Sequence, residues 1–266
     1  MKGFVLTMQY NEFDLLPIWI SHYKRYFDSS QLYVIDHGSI ENLIPHDISR
    51  IFFPKDKPFK EDYRRDAVRG VVFALLNYYD YGIFCDTDEL ICLDNFKAEE
   101  MAPNQIIYTY GYDVAYYQLN GHKRLIGSLT PTSCKPLIFN NIVPIWASGF
   151  HGCSTPPDYN QNQSITMAHI KYLHPEFYTR SLEYKKAAYE TMAEYEKEAG
   201  VASHWVDPND LNKFYANMQL ALDSYLIDDL PDLNNYIKTD HNKFFRVADL
   251  DRPYLRDLTD DFSHLL

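Results

Sequence analysis

Two carboxylates one residue apart interrupt an apolar stretch of this chain. Asp86 and Asp88, with Glu89 beside them, stand inside the sequence YGIFCDTDELICLD, residues 81–94. The apolar residues on both sides predict a buried strand with a polar tip. Carboxylates next to buried apolar residues need a cationic partner, and a divalent ion with oxygen ligands provides one. The stretch therefore predicts a divalent metal site; the alternative is that the acids cap a turn or pair with arginines.

The spacing of the two aspartates favours a shared ion. Residues i and i+2 of an extended strand lie on the same face of that strand. The side chains of Asp86 and Asp88 are therefore predicted to point the same way. Both carboxylates would then reach one ion, either directly or through water.

Composition and charge narrow the kinds of protein that could carry such a site. The 266 residues are 46% hydrophobic and 23% charged, which is typical of a soluble globular protein. A formal net charge of −12 argues against a nucleic-acid binder, because such proteins neutralise phosphates with a basic surface. It also disfavours strong attraction to anionic lipid. The 23 tyrosines and 16 phenylalanines suit sugar rings or nucleobases as well as they suit a core.

Cysteine usage and the first residues of the sequence indicate a cytoplasmic protein. The four cysteines form no Cys-x-x-Cys pair and have no zinc-ligand spacing, so they are predicted to be reduced. The opening residues MKGFVLTMQYNEFD turn polar too early for a signal peptide or a membrane span. We therefore expect a chain without a transmembrane segment, associated with a membrane at most peripherally at its inner face.

The elements before the acid pair, Asp86 and Asp88, alternate as strand, helix and strand. Apolar runs predict strands at 3–8 and 31–35, and a helical repeat of apolar residues predicts a helix at 12–27. In open α/β sheets, ligands bind at the carboxyl ends of the strands. Polar residues that follow these strand ends are candidate nucleotide contacts, namely Gln9, Asn11, Glu12 and Asp36. For residues 36–39, Asp-His-Gly-Ser, the alternative is a tight turn without a ligand.

A short strand at 50–54 and a helix at 63–78 lead into the acid-tipped strand. The helix opens with Arg64, Arg65 and Asp66. Arginines in the first turn oppose the helix dipole, which favours an anionic partner such as a phosphate or a nucleotide. The alternative is a first turn that is simply solvated.

Four motifs in this order resemble one family of enzymes. They are NEFDLLPIWISHY after the first strand, LYVIDHGS at the second, RRDAVRG in the following helix and FCDTDEL at the acid pair. The order is similar to that of glycosyltransferases with the GT-A fold, in the group like families 2 and 92. The resemblance covers residues 3–94. It implies a Rossmann-like α/β fold with a mixed, mainly parallel sheet flanked by helices.

The resemblance implies a nucleotide-sugar donor that lies across the carboxyl ends of the strands. Asp86 and Asp88 would bind Mn²⁺ or Mg²⁺ on the donor diphosphate, and the metal would stabilise the charge of the leaving group. A later histidine would be the third ligand, His169 first and His151 second. The residues expected to hold the donor nucleotide are Gln9, Asn11, Glu12, Asp36, Arg64, Arg65, Asp66 and Asp86.

Residues beyond the acid pair are expected to serve the acceptor. Strand-like segments at 106–110 and 113–119 are followed by IWASGFHG and TMAHIKYLH. The candidates for contact with a sugar are Glu89, Trp146, His151 and Lys171. The tryptophan is equally suited to the core. An inverting transfer also needs a base near the acceptor hydroxyl. The candidates for that base are Asp113, His151 and Asp158.

A change of character after residue 175 divides the chain into two predicted parts. Residues 1–175 form the catalytic domain, and residues 176–266 form a helical extension packed on it. Amphipathic helices are predicted at 181–199 and 211–227, followed by short helical or irregular pieces. The extension would shape the acceptor site or a homodimer contact.

These features predict a metal-dependent glycosyltransferase. It would move a sugar from a nucleotide diphosphate, by resemblance a UDP-sugar, to a hydroxyl of a glycan or glycolipid, as in bacterial surface polysaccharide or lipopolysaccharide synthesis. A sugar-phosphate nucleotidyltransferase is the first alternative, but the sequence after the first strand lacks the glycine-rich basic loop of those enzymes. A catalytically silent carbohydrate- or protein-binding module is the second, and the intact Asp86, Asp88 and Glu89 argue against it.

Overall fold

The computed structural model describes residues 1–54, 60–155, 165–190, 192, 194, 197, 207, 209–222, 231–240, 243–248, 250 and 254–266. Helices and strands are mixed along the chain, so the predicted α/β class is confirmed. The helices are α1 (Leu15–Tyr23), α2 (Glu61–Leu75), α3 (Pro175–Glu190) and α4 (Asp210–Leu222). The strands are β1 (Gly3–Gln9), β2 (Leu32–Asp36), β3 (Ser49–Phe52), β4 (Tyr81–Phe84), β5 (Glu89–Ile91), β6 (Ile106–Tyr108), β7 (Tyr110–Leu119), β8 (His122–Leu129), β9 (Pro136–Asn140), β10 (Thr166–His169), β11 (Ile237–Thr239), β12 (Phe245–Val247) and β13 (Leu255–Asp257).

A six-stranded sheet has the order β3-β2-β1-β4-β9-β6. Strand β1 pairs in parallel with β2 and β4, and β2 pairs in parallel with β3. Strand β9 runs antiparallel to both β4 and β6. The sheet is therefore mixed and mainly parallel, as predicted.

Helices α1 and α2 pack with opposite faces of β1, because the side chains of a strand alternate. Val5 belongs to the apolar cluster that contains Trp19 of α1, whereas Leu6 belongs to the cluster that contains Val72 of α2. All seven residues of β1 are buried, as expected for a strand covered on both faces. Each fully buried large apolar side chain stabilises the folded state by about 1.5–3 kcal/mol. This packing therefore holds the ends of β1 in place.

Helix α1 is shorter than the predicted helix at 12–27. Asn11 has a φ of 54°, in the left-handed region, and the N–H of Phe13 donates to the carbonyl of Asn11 at 2.9 Å. Residues 11–14 therefore turn before the helix begins at Leu15. This turn leaves Asn11 and Glu12 at the carboxyl end of β1. No helix in the described part of the chain is both long and apolar enough to cross a bilayer.

A second sheet of five strands has the order β13-β8-β7-β10-β5. Strand β4 belongs to the first sheet and β5 to the second, so the chain crosses from one sheet to the other at residues 85–88. The acid pair lies at this crossing. The junction of the two sheets is thus where the predicted site must be sought.

The C-terminal residues contribute to this second sheet. Strand β13 pairs antiparallel with β8, with Leu255 opposite Ser128, and Phe262 is fully buried in the core. The prediction of helical or irregular pieces is therefore wrong for β11, β12 and β13, whose few residues carry no clear alternation. Helix α3 begins at Pro175, ahead of the predicted residue 181, because proline suits the first position of a helix.

Candidate metal and ligand site

The acid pair lies in a tight turn rather than in an extended strand. The N–H of Glu89 donates to the carbonyl of Asp86 at 3.1 Å, and the N–H of Asp86 donates to the Glu89 carboxylate at 3.0 Å. The prediction that Asp86 and Asp88 point the same way is therefore wrong, because it holds only for an extended backbone. Asp86 faces two cations, whereas Asp88 faces His169.

Strand pairing brings three chemically active residues into one row. Strand β10 lies between β5 and β7, with His169 opposite Glu89 on one side and opposite Asp113 on the other. The N–H of Ile170 donates to the carbonyl of Asp88 at 2.7 Å, which attaches the acid turn to the end of β10. The row is thus fixed by backbone hydrogen bonds and does not depend on a loop.

His169 is held between two carboxylates. Its Nδ1 lies 2.7 Å from Oδ1 of Asp113, and its Nε2 lies 3.3 Å from Oδ2 of Asp88. Burial lowers the pKa of His169, but Asp88 and Asp113 outweigh this effect and raise the pKa to about 9. The hydroxyl of Ser133 also donates to Asp113, at 3.2 Å. A carboxylate on Nδ1 is the arrangement that orients a metal-binding histidine, because it turns Nε2 towards the ion.

Among the described residues, Asp88, Glu89 and His169 could together hold a metal ion, and we refer to them as the metal-ligand group. Their ligand atoms all lie within 4.8 Å of one another. Two carboxylates and one imidazole suit a divalent ion such as Mn²⁺, and Asp113 supplies the outer partner of the imidazole. These residues therefore fit the metal that the resemblance implies. This group shares Asp88 and His169 with the predicted set of Asp86, Asp88 and His169, and it contains Glu89 in place of Asp86.

Two cations flank the acids. Arg64 forms an ion pair with Asp86, while Nζ of Lys135 lies 3.2 Å from Oδ2 of Asp86 and 2.5 Å from Oε1 of Glu89. Burial opposes ionisation of Asp86, but the charges of Arg64 and Lys135 outweigh it and hold its pKa below the usual range. Burial likewise lowers the pKa of Lys135, and the acids raise it by more. Both cations therefore keep their charge beside the acid pair.

Asp36 organises the loop that follows β2. Its side chain is 0% exposed, and its oxygens accept from Nε of Arg50 (2.9 Å), Nε2 of Gln9 (3.0 Å) and the N–H of Ser39 (3.0 Å). Both Asp36 and Gln9 are buried in this network, and their contact with the nucleoside stays a prediction. The loop bends at Gly38, which has a φ of 72°.

The three charged residues that open α2 have different surroundings. Arg64 reaches the acid pair. Arg65 donates to the carbonyl of Trp146 at 2.8 Å, and Asp66 is exposed with Arg69 as its partner at 3.4 Å. Neither contact is with the acid pair, so Arg64 is the one of the three that is placed at the candidate site. Arg65 holds a neighbouring loop, and Asp66 faces solvent.

Trp146 belongs to the core. Its side chain is 1% exposed and packs against Phe84, Phe139 and Phe150, and its Nε1 donates to the carbonyl of Pro136 at 3.0 Å. The prediction that it stacks on a sugar is wrong, because the indole presents no free face. The core alternative is confirmed.

The candidate bases fall in three different situations. Asp113 is engaged by His169, so it positions that ring. Nδ1 of His151 donates to the carbonyl of Thr132 at 2.5 Å, and burial, assisted by a lysine charge, lowers the pKa of His151 to about 3. The His151 ring is therefore neutral, with Nε2 as an acceptor. Asp158 lies outside the described residues.

The last predicted contacts follow strands β1 and β10. Asn11 and Glu12 lie in the turn after β1, where Oδ1 of Asn11 accepts from the N–H of Ile40 at 2.9 Å. Lys171 follows β10, and its Nζ lies 4.3 Å from the centre of the Tyr172 ring. The sugar-contact role predicted for Lys171 stays a prediction.

Sequence reasoning missed the roles of Lys135, Ser133 and Glu61. Oε1 of Glu61 accepts from the N–H of Gly149 at 2.9 Å and lies 3.5 Å from Arg64. A signal for Lys135 existed, because a lysine beside the apolar run PLIF is costly to bury unless acids surround it. Ser133 and Glu61 carried no such signal, since their roles depend on tertiary contacts.

The junction of the two sheets thus combines carboxylates, an imidazole and two cations. Such a set can hold a divalent ion and neutralise an anionic ligand. No protein-family model and no curated protein sequence matches this chain. What the site does must follow from the residues themselves.

Proposed function

We propose that the protein is a metal-dependent glycosyltransferase that moves a sugar from a nucleotide-diphosphate donor to a hydroxyl of a glycan or glycolipid. The observation that carries this proposal is the metal-ligand group beside two partly or fully buried cations, Arg64 and Lys135. A divalent ion and fixed cations together suit a diphosphate, which offers several anionic oxygens to both.

The position of the site in the sheet supports a nucleotide ligand. From β1 the chain adds β2 and β3 on one side of the sheet and then returns to add β4 on the other side, so the order of connection switches between β1 and β4. Open parallel sheets bind nucleotides outside the carboxyl ends of their strands at such a point. Asp86 follows β4, and Asn11 follows β1. The motifs that resemble GT-A glycosyltransferases lie along this same edge.

A divalent ion would be held by Asp88, Glu89 and His169. When bound, it would act as a Lewis acid towards the charge that develops on the departing diphosphate. Asp113 keeps His169 oriented through its hydrogen bond to Nδ1, at 2.7 Å. Lys135 lies 2.5 Å from Glu89 and keeps positive charge next to the second carboxylate.

Arg64 and Lys135 would bind phosphate oxygens of the donor. Asp86 contacts both and holds their charged groups in place before a ligand arrives. Hydrogen-bond donors that are already oriented towards developing charge stabilise a transition state without further reorganisation. Their effect is strengthened because a partly buried site screens charge less than water does.

Thermal unfolding with UDP, GDP, CDP and dTDP, each with and without Mn²⁺, tests the proposal. Binding to the folded state raises Tm by mass action, and a hundredfold excess over Kd adds about 2.7 kcal/mol of stability. We expect one nucleotide to stabilise the wild type only with Mn²⁺, and Asp88→Asn to lose that shift. Asp66→Asn is the matched control, because Asp66 is exposed and pairs only with a helix neighbour among the described ion pairs. No shift with any nucleotide and Mn²⁺ would sink the transferase and favour a silent binding module.

A further inference from the structure

Lys135 is a buried cation that contacts two acids of one turn. It comes directly before β9, and its carbonyl accepts from the N–H of Thr109 at 2.9 Å, which fixes its backbone. Its side chain is 5% exposed. Nζ lies 3.2 Å from Oδ2 of Asp86 and 2.5 Å from Oε1 of Glu89. A buried ammonium is costly without such carboxylates, so the acids determine where the charge of Lys135 lies.

The two oxygens of the Glu89 carboxylate have different neighbours. Oε2 accepts from the N–H of Asp86 at 3.0 Å, which anchors the carboxylate to the backbone of the turn. Oε1 is buried and accepts no hydrogen bond among the described residues, although Nζ of Lys135 lies 2.5 Å away. The ammonium therefore meets Oε1 as a charge and is not aligned to donate to it. Oε1 is the atom that Glu89 can still offer to a metal ion, and Lys135 lies against it.

An ion bound to Oε1 would compete with the ammonium in its present position. Divalent ions bind carboxylate oxygens at roughly 2.0–2.6 Å. Such an ion would therefore lie within about 5 Å of Nζ of Lys135. Positive charges this close repel each other strongly, because a buried site screens them less than water does. Asp86 offers no excess negative charge to offset the repulsion, since Arg64 already pairs with it.

We propose that Lys135 is a resident cation of the metal-ligand group, which balances the charge of Glu89 until a divalent ion displaces it. The flexible stem of lysine lets Nζ leave Oε1 of Glu89 and keep its contact with Asp86. The inference rests on the metal site of the proposed function and adds a residue that sets the affinity of that site for the ion. The displaced ammonium would then be available to a phosphate oxygen, so the ion would prepare the site for the diphosphate.

The same lysine should stabilise the folded protein when no metal is supplied. Asp86, Asp88 and Glu89 lie within four residues, and buried like charges destabilise one another. Without Lys135, the Glu89 carboxylate would be buried with no cation beside it among the described ion pairs. A buried charge left by its partner in this way is strongly destabilising. A divalent ion on Oε1 would supply the missing charge, so stability and ion binding are linked through Lys135.

Lys135→Met and Lys135→Gln test the resident cation. Methionine keeps an unbranched side chain without charge, and glutamine keeps a hydrogen-bond donor near Asp86. Lys24→Met is the matched control, because it removes the same charge from an exposed ion pair with Asp47, at 2.9 Å. The Kd for Mn²⁺ is measured by calorimetric titration of the full chain. Tm is measured with and without saturating Mn²⁺.

We expect Mn²⁺ to bind both Lys135 variants about tenfold more tightly than the wild type, or more. The reason is that Glu89 stays anchored by the N–H of Asp86 while no ammonium opposes the ion. Without Mn²⁺ both variants should unfold at a lower Tm than the wild type, and saturating Mn²⁺ should close that gap. Lys24→Met should bind Mn²⁺ as the wild type does.

Mn²⁺ binding equal to or weaker than that of the wild type in both Lys135 variants overturns the resident cation, because a lysine that only supports the structure would give that result. The proposed function survives this outcome if the wild type binds a nucleotide with Mn²⁺. Absence of Mn²⁺ binding in the wild type and in both variants overturns the inference together with the metal site of the proposed function. Failure of both variants to fold even with Mn²⁺ also overturns the inference, since the ion would then not replace the charge of Lys135.

Discussion

A single ring, His169, joins the two halves of the candidate site. Asp113 lies behind it on Nδ1 and Asp88 in front of it on Nε2, at 2.7 and 3.3 Å. The backbone register of β10 sets both distances, because it places His169 beside β7 and next to β5. The outer carboxylate fixes which nitrogen is offered to a ligand.

Asp113→Asn should weaken Mn²⁺ binding by about 10- to 100-fold, the usual cost of losing the outer partner of a ligating histidine. The asparagine keeps the shape but leaves the ring less basic and less firmly oriented. Calorimetric titration with Mn²⁺ measures the effect, with Asp66→Asn as the control. An unchanged Kd in Asp113→Asn would mean that His169 is not a ligand.

Trp146→Phe separates a core role from a ligand-stacking role. The change removes part of a wholly buried ring and the hydrogen bond to Pro136. We expect the free energy of unfolding to fall by about 2 kcal/mol, measured by urea denaturation. The affinity of the folded protein for nucleotide sugars should stay the same. A loss of affinity at unchanged stability would instead restore the stacking role.

At the scale of elements, the turn at Pro131–Ser133 approaches β7 closely and supports the metal-ligand group from behind. A Cβ added at Gly111 would lie 1.8 Å from the carbonyl oxygen of Ser133. That serine donates to Asp113, which in turn contacts His169. A glycine that carries no ligand thus sets the position of the residues behind the imidazole.

Gly111→Ala should destabilise the protein by about 1–3 kcal/mol or more, because the added methyl overlaps backbone atoms. It should also weaken Mn²⁺ binding, since the turn must move away and take Ser133 with it. Thermal unfolding and Mn²⁺ titration measure the two effects. Gly70→Ala is the control, and it should stabilise the protein. Outside the backbone of its own helix, no atom lies within 4 Å of the added Cβ, and alanine in place of glycine stabilises a helix by up to about 1 kcal/mol. Equal Tm values for the two variants would contradict the steric account.

Periodicity predicted the elements that bury long apolar faces, and it failed where short strands pair over long distances. Strands β1 and β2 and helix α2 were found, because their apolar residues are numerous and regularly spaced. Strands β5, β10 and β13 have three or four residues each, too few for a pattern. Asp86 and Asp88 were predicted as ligands, yet Glu89 rather than Asp86 lies with Asp88 and His169, because the turn at 86–89 depends on a hydrogen bond that the sequence does not reveal. Lys135 was missed although its place beside the apolar run PLIF was a signal.

On the scale of the whole molecule, a chain of hydrogen bonds ties the C-terminal residues to α1 and the second sheet. Nε2 of His22 donates to the carbonyl of Ile91 at 2.9 Å, and Nδ1 of His22 lies 2.9 Å from Nε2 of His264. Arg25 donates to the other ring nitrogen of His264 at 2.5 Å. This pattern requires both rings to be neutral, because each must accept one hydrogen bond.

Stability should therefore fall in mild acid. Burial lowers the pKa of His22 to about 3, whereas the unfolded chain keeps the usual value of 6.5. Between these two pH values the unfolded state binds one proton more than the folded state. The contribution of His22 to the free energy of unfolding is therefore complete above pH 6.5 and is lost as the pH falls below it. The slope is about 1.4 kcal/mol per pH unit for one such group.

His22→Gln tests this pH dependence, because the amide can still donate to Ile91 and accept from His264 but does not titrate. The free energy of unfolding is measured by urea denaturation between pH 4.5 and 7.5. The wild type should lose more stability than the variant as the pH falls, and His122→Gln, at an exposed position of β8, should follow the wild type. Parallel curves for wild type and His22→Gln would mean that His22 is not the source of the acid sensitivity.

The place of β13 at the edge of the second sheet has a consequence for how the chain is made. A nascent chain that has left the ribosome up to residue 175 already carries Asp88, Glu89 and His169 and can pair β8 with β7, yet the other edge of β8 still lacks β13. An unpaired edge strand is a template for other chains, and domains generally fold as units during synthesis. Translation must therefore reach residues 255–257 before the sheet behind the site is sealed. A polypeptide cut short between these points would hold every metal ligand and still be prone to aggregate.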